Sequence, residues 1–149
     1  IPMSSHELRE KLAEQPDSDF DRLIAVGLGS SGVWIGECAL HPPDSRGIAS
    51  TDVKLLPEFQ GRGYGGEIKS ALLEYLFRNT SCSAVEATPN ENNIPSIRMQ
   101  ESVGGVLQGR GVYRFPREMQ TYTVPVHHRV YHVTRERWNS LQGRHLEKV

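Results

Sequence analysis

Gln60-Gly61-Arg62-Gly63-Tyr64-Gly65-Gly66 is the stretch on which the reading of this chain turns. It follows a strand-like run, Asp52-Val53-Lys54-Leu55-Leu56, and opens a helix-like run from Glu67 to Phe77. Glycines at a strand-to-helix turn let a ligand approach the main chain closely and leave its N–H groups accessible. The helix N-terminus adds positive dipole, so such a turn suits a phosphate. Three readings meet here: a tight turn with no ligand, a dinucleotide site, and a phosphate cradle of another kind. Gly61-x-Gly63-x-x-Gly66 satisfies the dinucleotide pattern, and Glu86 lies near the place of the ribose-binding acid. The surroundings disagree with it. Pro57-Glu58-Phe59-Gln60 separate the glycines from the strand, and too little chain follows for a full set of parallel βαβ units.

Around the turn the periodicity is clear. Ile68, Ala71, Leu72, Tyr75 and Leu76 fall at helical spacing and form one apolar stripe. Upstream, Arg22–Leu28 and Val33–Leu40 read as a hairpin closed by Gly29-Ser30-Ser31-Gly32. Further upstream, Ser4-Ser5-His6-Glu7 has the form of a capping box for a short helix that stops before Pro16. Downstream come a short strand, Ser83–Thr88, and a polar loop to Asn93. A second helix, Ile94–Val103, carries Pro95 in its first turn and stops at Gly104-Gly105. Two strand-like runs, Val106–Phe115 and Thr121–Thr134, precede a polar tail. The order predicts an α/β chain with a mixed sheet, mostly antiparallel, and one parallel pair flanking the glycine turn.

With 149 residues the chain fits one domain. A formal net charge of −1 disfavours a nucleic-acid binder that relies on a global positive field. No apolar run approaches the roughly 20 residues of a membrane helix. Cys38 and Cys82 match no zinc spacing and read as buried free thiols of a reducing, cytoplasmic compartment. His127, His128 and His132 lie on a strand-like run, where residues four apart are roughly 13 Å from each other, too far to share a metal ion. One of them can still line an acceptor pocket. Trp34 and Trp138 read as packing groups.

Leu55-Leu56-Pro57-Glu58-Phe59-Gln60-Gly61-Arg62-Gly63-Tyr64-Gly65 resembles the acetyl-CoA motif of the GNAT superfamily of N-acetyltransferases, with Gln60, Gly63 and Gly65 at its fixed places. Asn93-Ile94-Pro95-Ser96 and the helix ending at Gly104 resemble the family's next segment. Tyr131–Trp138 resembles the last strand of the branch that acetylates ribosomal-protein N-termini and small amines. The resemblance implies a GNAT fold whose parallel strands splay to admit the pantetheine arm, and acetyl-CoA as co-substrate without a metal. It also implies direct transfer to an amine acceptor in a ternary complex. Leu55, Gln60, Gly61, Arg62, Gly63, Tyr64, Gly65, Gly66 and Asn93 are then the expected cofactor-binding residues. A main-chain N–H near Leu55–Leu56 is the expected oxyanion donor.

The chain also departs from the pattern. No stretch supplies the family's first strand, so the domain is expected to be N-terminally incomplete, spanning 1–138, with a polar tail over 139–149. Gln100 stands where many relatives carry a tyrosine that protonates the departing thiolate, and glutamine cannot act as that acid. Ser96 or a water is the substitute. Glu37 and Asp52, carboxylates on central strands, are the candidate bases, against an ordinary reading as solvated or ion-paired strand residues. A domain that binds acyl-CoA without turnover, as sensor or scaffold, is the alternative. An exposed last strand would offer pairing to a second copy as a homodimer.

Overall fold

The computed structural model describes residues 22–29, 31–113, 117 and 125–147. The short helix expected over 4–15 and the start of the run at Thr121 lie outside them. Six strands form one sheet: β1 (Arg22–Gly27), β2 (Trp34–His41), β3 (Ile48–Leu55), β4 (Ala84–Ala87), β5 (Val106–Tyr113) and β6 (Val126–Thr134). Among the described residues three α-helices accompany them: α1 (Tyr64–Asn79), α2 (Ile94–Ser102) and α3 (Arg135–Glu147). The sheet order is β1-β2-β3-β4-β6-β5, and β3 with β4 is its parallel pair. Consecutive hairpin strands produce the antiparallel half, and the β3-α1-β4 crossover produces the parallel rung.

Alternation along the strands assigns the two faces. Ala49, Thr51, Val53 and Leu55 look toward α1, together with Val85 and Val133. Helix α1 lays Ile68, Leu72, Leu73, Leu76 and Phe77 onto that face to make the core. Burying such side chains contributes about 1.5–3 kcal/mol each, which is why the stripe and not helix propensity holds α1 in place.

Several elements differ from the sequence reading. β3 begins at Ile48, ahead of the expected Asp52, because Ile48, Ala49 and Ser50 pair with β4 and Ser50 and Thr51 pair with β2. Residues 135–147 form helix α3 where a polar tail is expected. Trp138 anchors it by stacking on Phe77 with ring centroids 5.3 Å apart. Arg135 holds its first turn to the C-terminal end of α1 by donating to the carbonyls of Phe77, Thr80 and Cys82. Trp34 is 50% exposed and is not a core group. Among the described residues the last strand, β6, is internal, and the sheet edges are β1 and β5. Cys38 and Cys82 are free and buried. Among the described residues, no helix is long and apolar enough to cross a membrane.

Candidate active site

The parallel ladder is short. It runs from Ile48 opposite Ala84 to Ser50 opposite Glu86, and β3 then continues through residues 51–55 without β4 beside it. The chain after β4 stays with β6 instead: Arg129 donates to Pro89, Glu91 donates to His127, and Asn90 bridges His128. A gap therefore opens between the end of β3 and the segment after β4.

Which groups line this gap follows from hydrogen-bond parity. Leu56 N–H donates to the Ile35 carbonyl at 2.8 Å, so in the antiparallel β2–β3 ladder Leu56, Lys54 and Asp52 turn their main-chain groups toward β2. Val53 and Leu55 turn theirs the other way, into the gap. The Leu55 carbonyl receives the Gln60 side-chain amide at 3.1 Å, which leaves the Leu55 N–H and both main-chain groups of Val53 directed there. Leu56 N–H, one of the two expected oxyanion donors, is committed to β2.

At the far end of the gap, a 3₁₀ turn (Pro57–Phe59) leads into the glycine stretch. Gly61 and Gly63 take left-handed backbone angles, φ 74° and 86°, which other residues adopt only at a cost of about 1–2 kcal/mol. A Cβ built on either meets nothing within 4 Å, so this stretch of chain faces open space. Gly63 is the N-cap of α1, and no side chain caps the helix there. The first turn, which also carries Glu67, thus presents its amides without a side-chain cap. Gly65 serves packing: a Cβ there would lie 2.9 Å from Met99 Sδ and 3.6 Å from Leu55 Cδ1. Arg62 lies over the Phe59 ring at 5.7 Å. Tyr64 packs against the core, and Gly66 stands near Ser102. Asn93 caps α2 by accepting from the Ser96 N–H at 3.2 Å.

The candidate bases share one face. Glu37 and Asp52 both look away from α1, Glu37 opposite Lys54 and Asp52 opposite Ala39 in the β2–β3 ladder. Ser96 is half-buried in the first turn of α2, on another element from the two carboxylates. On the carboxylate face, where β3 and β4 are still paired, lies a cavity of about 390 Å³ lined by His41, Asp44, Arg46, Ser50 and Glu86. Glu86 Oε2 bonds His132 Nε2 at 2.7 Å and pairs more loosely with Arg46 at 3.5 Å. Arg46 holds the Asp44 carboxyl below the usual carboxylate range by a side-chain hydrogen bond. Glu86 and His132 were not expected as partners, since only the β4–β6 register makes them neighbours. His128 lies over Gly111.

The sequence reading also missed Lys69. It occupies an inward position of α1, 1% exposed, and hydrogen-bonds the hydroxyl of Thr51. Burial pushes its ammonium down to about 7, against the opposing pull of Asp52. Burial likewise pushes the Cys38 thiol up to about 12, with Glu37 adding to the shift.

Comparison with known proteins agrees with this geometry. A family model described as an acetyltransferase (GNAT) domain matches residues 2–106. In sequence the chain is similar to the SPbeta prophage-derived uncharacterized N-acetyltransferase YokL of Bacillus subtilis (strain 168), 27% identical over 110 residues, or 74% of this chain. It spans 62% of the length of that relative. In fold it is similar to the ribosomal-protein-S5-alanine acetyltransferase of Vibrio fischeri, with TM-score 0.69 at 15% identity over 89% of this chain and 72% of that one. It is likewise similar to a spermidine N-acetyltransferase from Vibrio cholerae in complex with CoA and spermine, with TM-score 0.66 at 18% identity over 89% and 76% of the two chains. At these identities the structural likeness carries the fold alone, while the family match covers most of the chain. The chain belongs to the GNAT acetyltransferase family.

Proposed function

We propose that this protein is an acetyl-CoA-dependent N-acetyltransferase that moves the acetyl group directly to a primary amine in a ternary complex. The observation that carries the proposal is that β3, where it runs on without β4, leads within a few residues to an α1 N-terminus that no side chain caps. Acetyl-CoA supplies a diphosphate for the helix end and an amide-rich arm ending in a thioester for the strand. The N–H groups at residues 61–66 hold the diphosphate without a lysine. Val53 and Leu55 offer strand-like pairing to the arm, and the Val53 N–H, directed into the gap, is the donor for the developing oxyanion.

The amine enters from the face opposite α1. Glu37, Asp52 and Glu86 put carboxylates on that face, which favours a cationic acceptor, and the cavity at Glu86 receives the rest of it. Asp52 is the preferred base because it stands on β3, the strand that borders the gap, whereas Glu37 stands one strand away on β2. The neighbours' names point to two acceptor classes, a protein N-terminus and a polyamine. Both present a primary amine. Ser96, expected as a substitute acid, lies on α2, apart from both carboxylates.

The test is thermal and kinetic. Acetyl-CoA must raise the melting temperature, because a ligand bound only to the native state stabilises it. Spermidine and alanine-terminated peptides must then drive release of free CoA thiol. Stabilisation by acetyl-CoA with no turnover on any amine would replace this proposal with the sensor or scaffold reading. Stabilisation by NAD and not by acetyl-CoA would replace both.

A further inference from the structure

Aminolysis of a thioester expels a thiolate, and that sulfur needs a proton to leave as a stable product. The two sides of the β3–β4 gap differ in what they offer. The face away from α1 carries carboxylates, which accept protons. The face toward α1 carries Thr51 and Lys69.

Lysines ordinarily run their stems along apolar surface and keep the ammonium in water. Lys69 does not. Its helical neighbours at i+3, i+4 and i+7 are Leu72, Leu73 and Leu76, all core residues, and its Nζ ends on Thr51 Oγ1. Thr51 is 7% exposed and is the first residue of β3 past the last rung shared with β4. The hydroxyl and the ammonium behind it are thus placed where the strands part, on the side remote from the amine. A cation on the solvated side of α1 would serve helix stability better. Its burial against Thr51 instead carries the desolvation cost of a charge and sets a proton donor beside the gap.

We propose that Thr51 and Lys69 form a proton-donating pair for the departing thiolate. This deepens the acetyl-transfer reading above and rests on it. As the amine nitrogen bonds to the acetyl carbon and the carbon–sulfur bond breaks, the bonding pair goes to sulfur. The Thr51 hydroxyl gives its proton to that sulfur, and a Lys69 N–H replaces it. Lys69 is left neutral and regains a proton through the Thr51 hydroxyl once the thiol leaves and water enters the gap, into which the base on the opposite face discharges the proton of the amine. One proton passes from amine to thiol, and none is gained or lost. Thr51 is the catalytic residue in this step, and Lys69 is a positioning and relay residue acting through it.

The electrostatics favour that direction. A lysine held at about 7 is a stronger acid than a free thiol, whose ordinary value is about 8.5, so the transfer runs downhill. The charged group acting on Lys69 from β3 is Asp52, which favours the ammonium. From β2, the Cys38 thiol stands on the same face opposite Val53, and at about 12 it keeps its proton.

The full chain and its Lys69→Met, Thr51→Val and Thr51→Ser variants would be compared by CoA release at saturating amine, from about pH 6 to 9.5, with acetyl-CoA affinity measured by calorimetry. Lys69→Met and Thr51→Val are expected to lower kcat by about 100-fold while acetyl-CoA affinity stays within about twofold. Thr51→Ser, which keeps the hydroxyl, is expected to retain most of the rate. The decline of kcat as pH rises through about 7 is expected in the parent and absent from Lys69→Met. Unchanged kcat and pH profile in Lys69→Met and Thr51→Val would overturn the relay and leave acetyl transfer standing. So would a loss of rate matched by an equal loss of acetyl-CoA affinity, which marks a packing role. If Lys69→Met does not fold, the Thr51 pair decides by the same criteria. A parent chain that neither binds nor turns over acetyl-CoA would overturn the relay and the proposed function together.

Discussion

Gly36→Ala tests the link between the sheet and the gap. Gly36 stands opposite Leu55 in the β2–β3 ladder, beside the bulge at Ile35 where the register with β1 slips. A Cβ built there would lie 2.2 Å from the Lys54 carbonyl oxygen and 2.9 Å from Leu55 Cα. Both atoms are main chain, so no side chain can swing aside. Ordinary contact begins near 3.4 Å, and β3 must retreat by roughly 1 Å to reach it. Overpacking of this kind costs about 2–4 kcal/mol, a large part of the roughly 5–15 kcal/mol that holds a domain of this size. Gly36 has no left-handed backbone angle, so the cost is steric. Gly61→Ala is the contrast: it has a left-handed angle and open space, and should cost only about 1–2 kcal/mol. Urea denaturation followed by circular dichroism measures both. Because the displaced strand carries Val53 and Leu55, Gly36→Ala should also shrink the melting-temperature rise produced by acetyl-CoA. A loss below about 0.5 kcal/mol, or an undiminished acetyl-CoA response, would refute the reasoning.

Three further outcomes follow from the packing and electrostatics. Arg135→Ala removes the donor of three main-chain carbonyls at the α1–α3 junction and should lower stability by about 2–3 kcal/mol in urea titrations, with Arg135→Lys recovering part of it. A thiol reagent should find neither Cys38 nor Cys82 in the native protein and both in denaturant, and fast native-state labelling would contradict their burial. Lys69 binds its proton less tightly folded than unfolded, so the unfolded chain holds more protons between about pH 7 and the ordinary lysine range. Stability should therefore rise with pH across that window, more steeply in the parent than in Lys69→Met. Parallel stability curves for the two would rule this out.

Much of the fold was legible because its signals are local. The stripe on α1, the breaker at Gly104-Gly105 and the hairpin glycines each act within a few residues. The glycine turn was legible for the same reason. Helix α3 was missed because its sequence is polar: Trp138 and Arg135, contacts made at long range, hold it in place. The candidate bases were placed on strands correctly, yet their common face and the Glu86–His132 pair depend on register across three strands.

Short-range chemistry in the chain settled the order of helices and strands from β1 to β6 and the presence of a phosphate-suited turn, since backbone angles and helical periodicity are properties of neighbouring residues. Tertiary structure alone decided where β3 and β4 part, because the segment after β4 bonds to β6. It also decided that a lysine in an otherwise ordinary helix is buried against Thr51, because burial is set by what the sheet presents to that side of the helix.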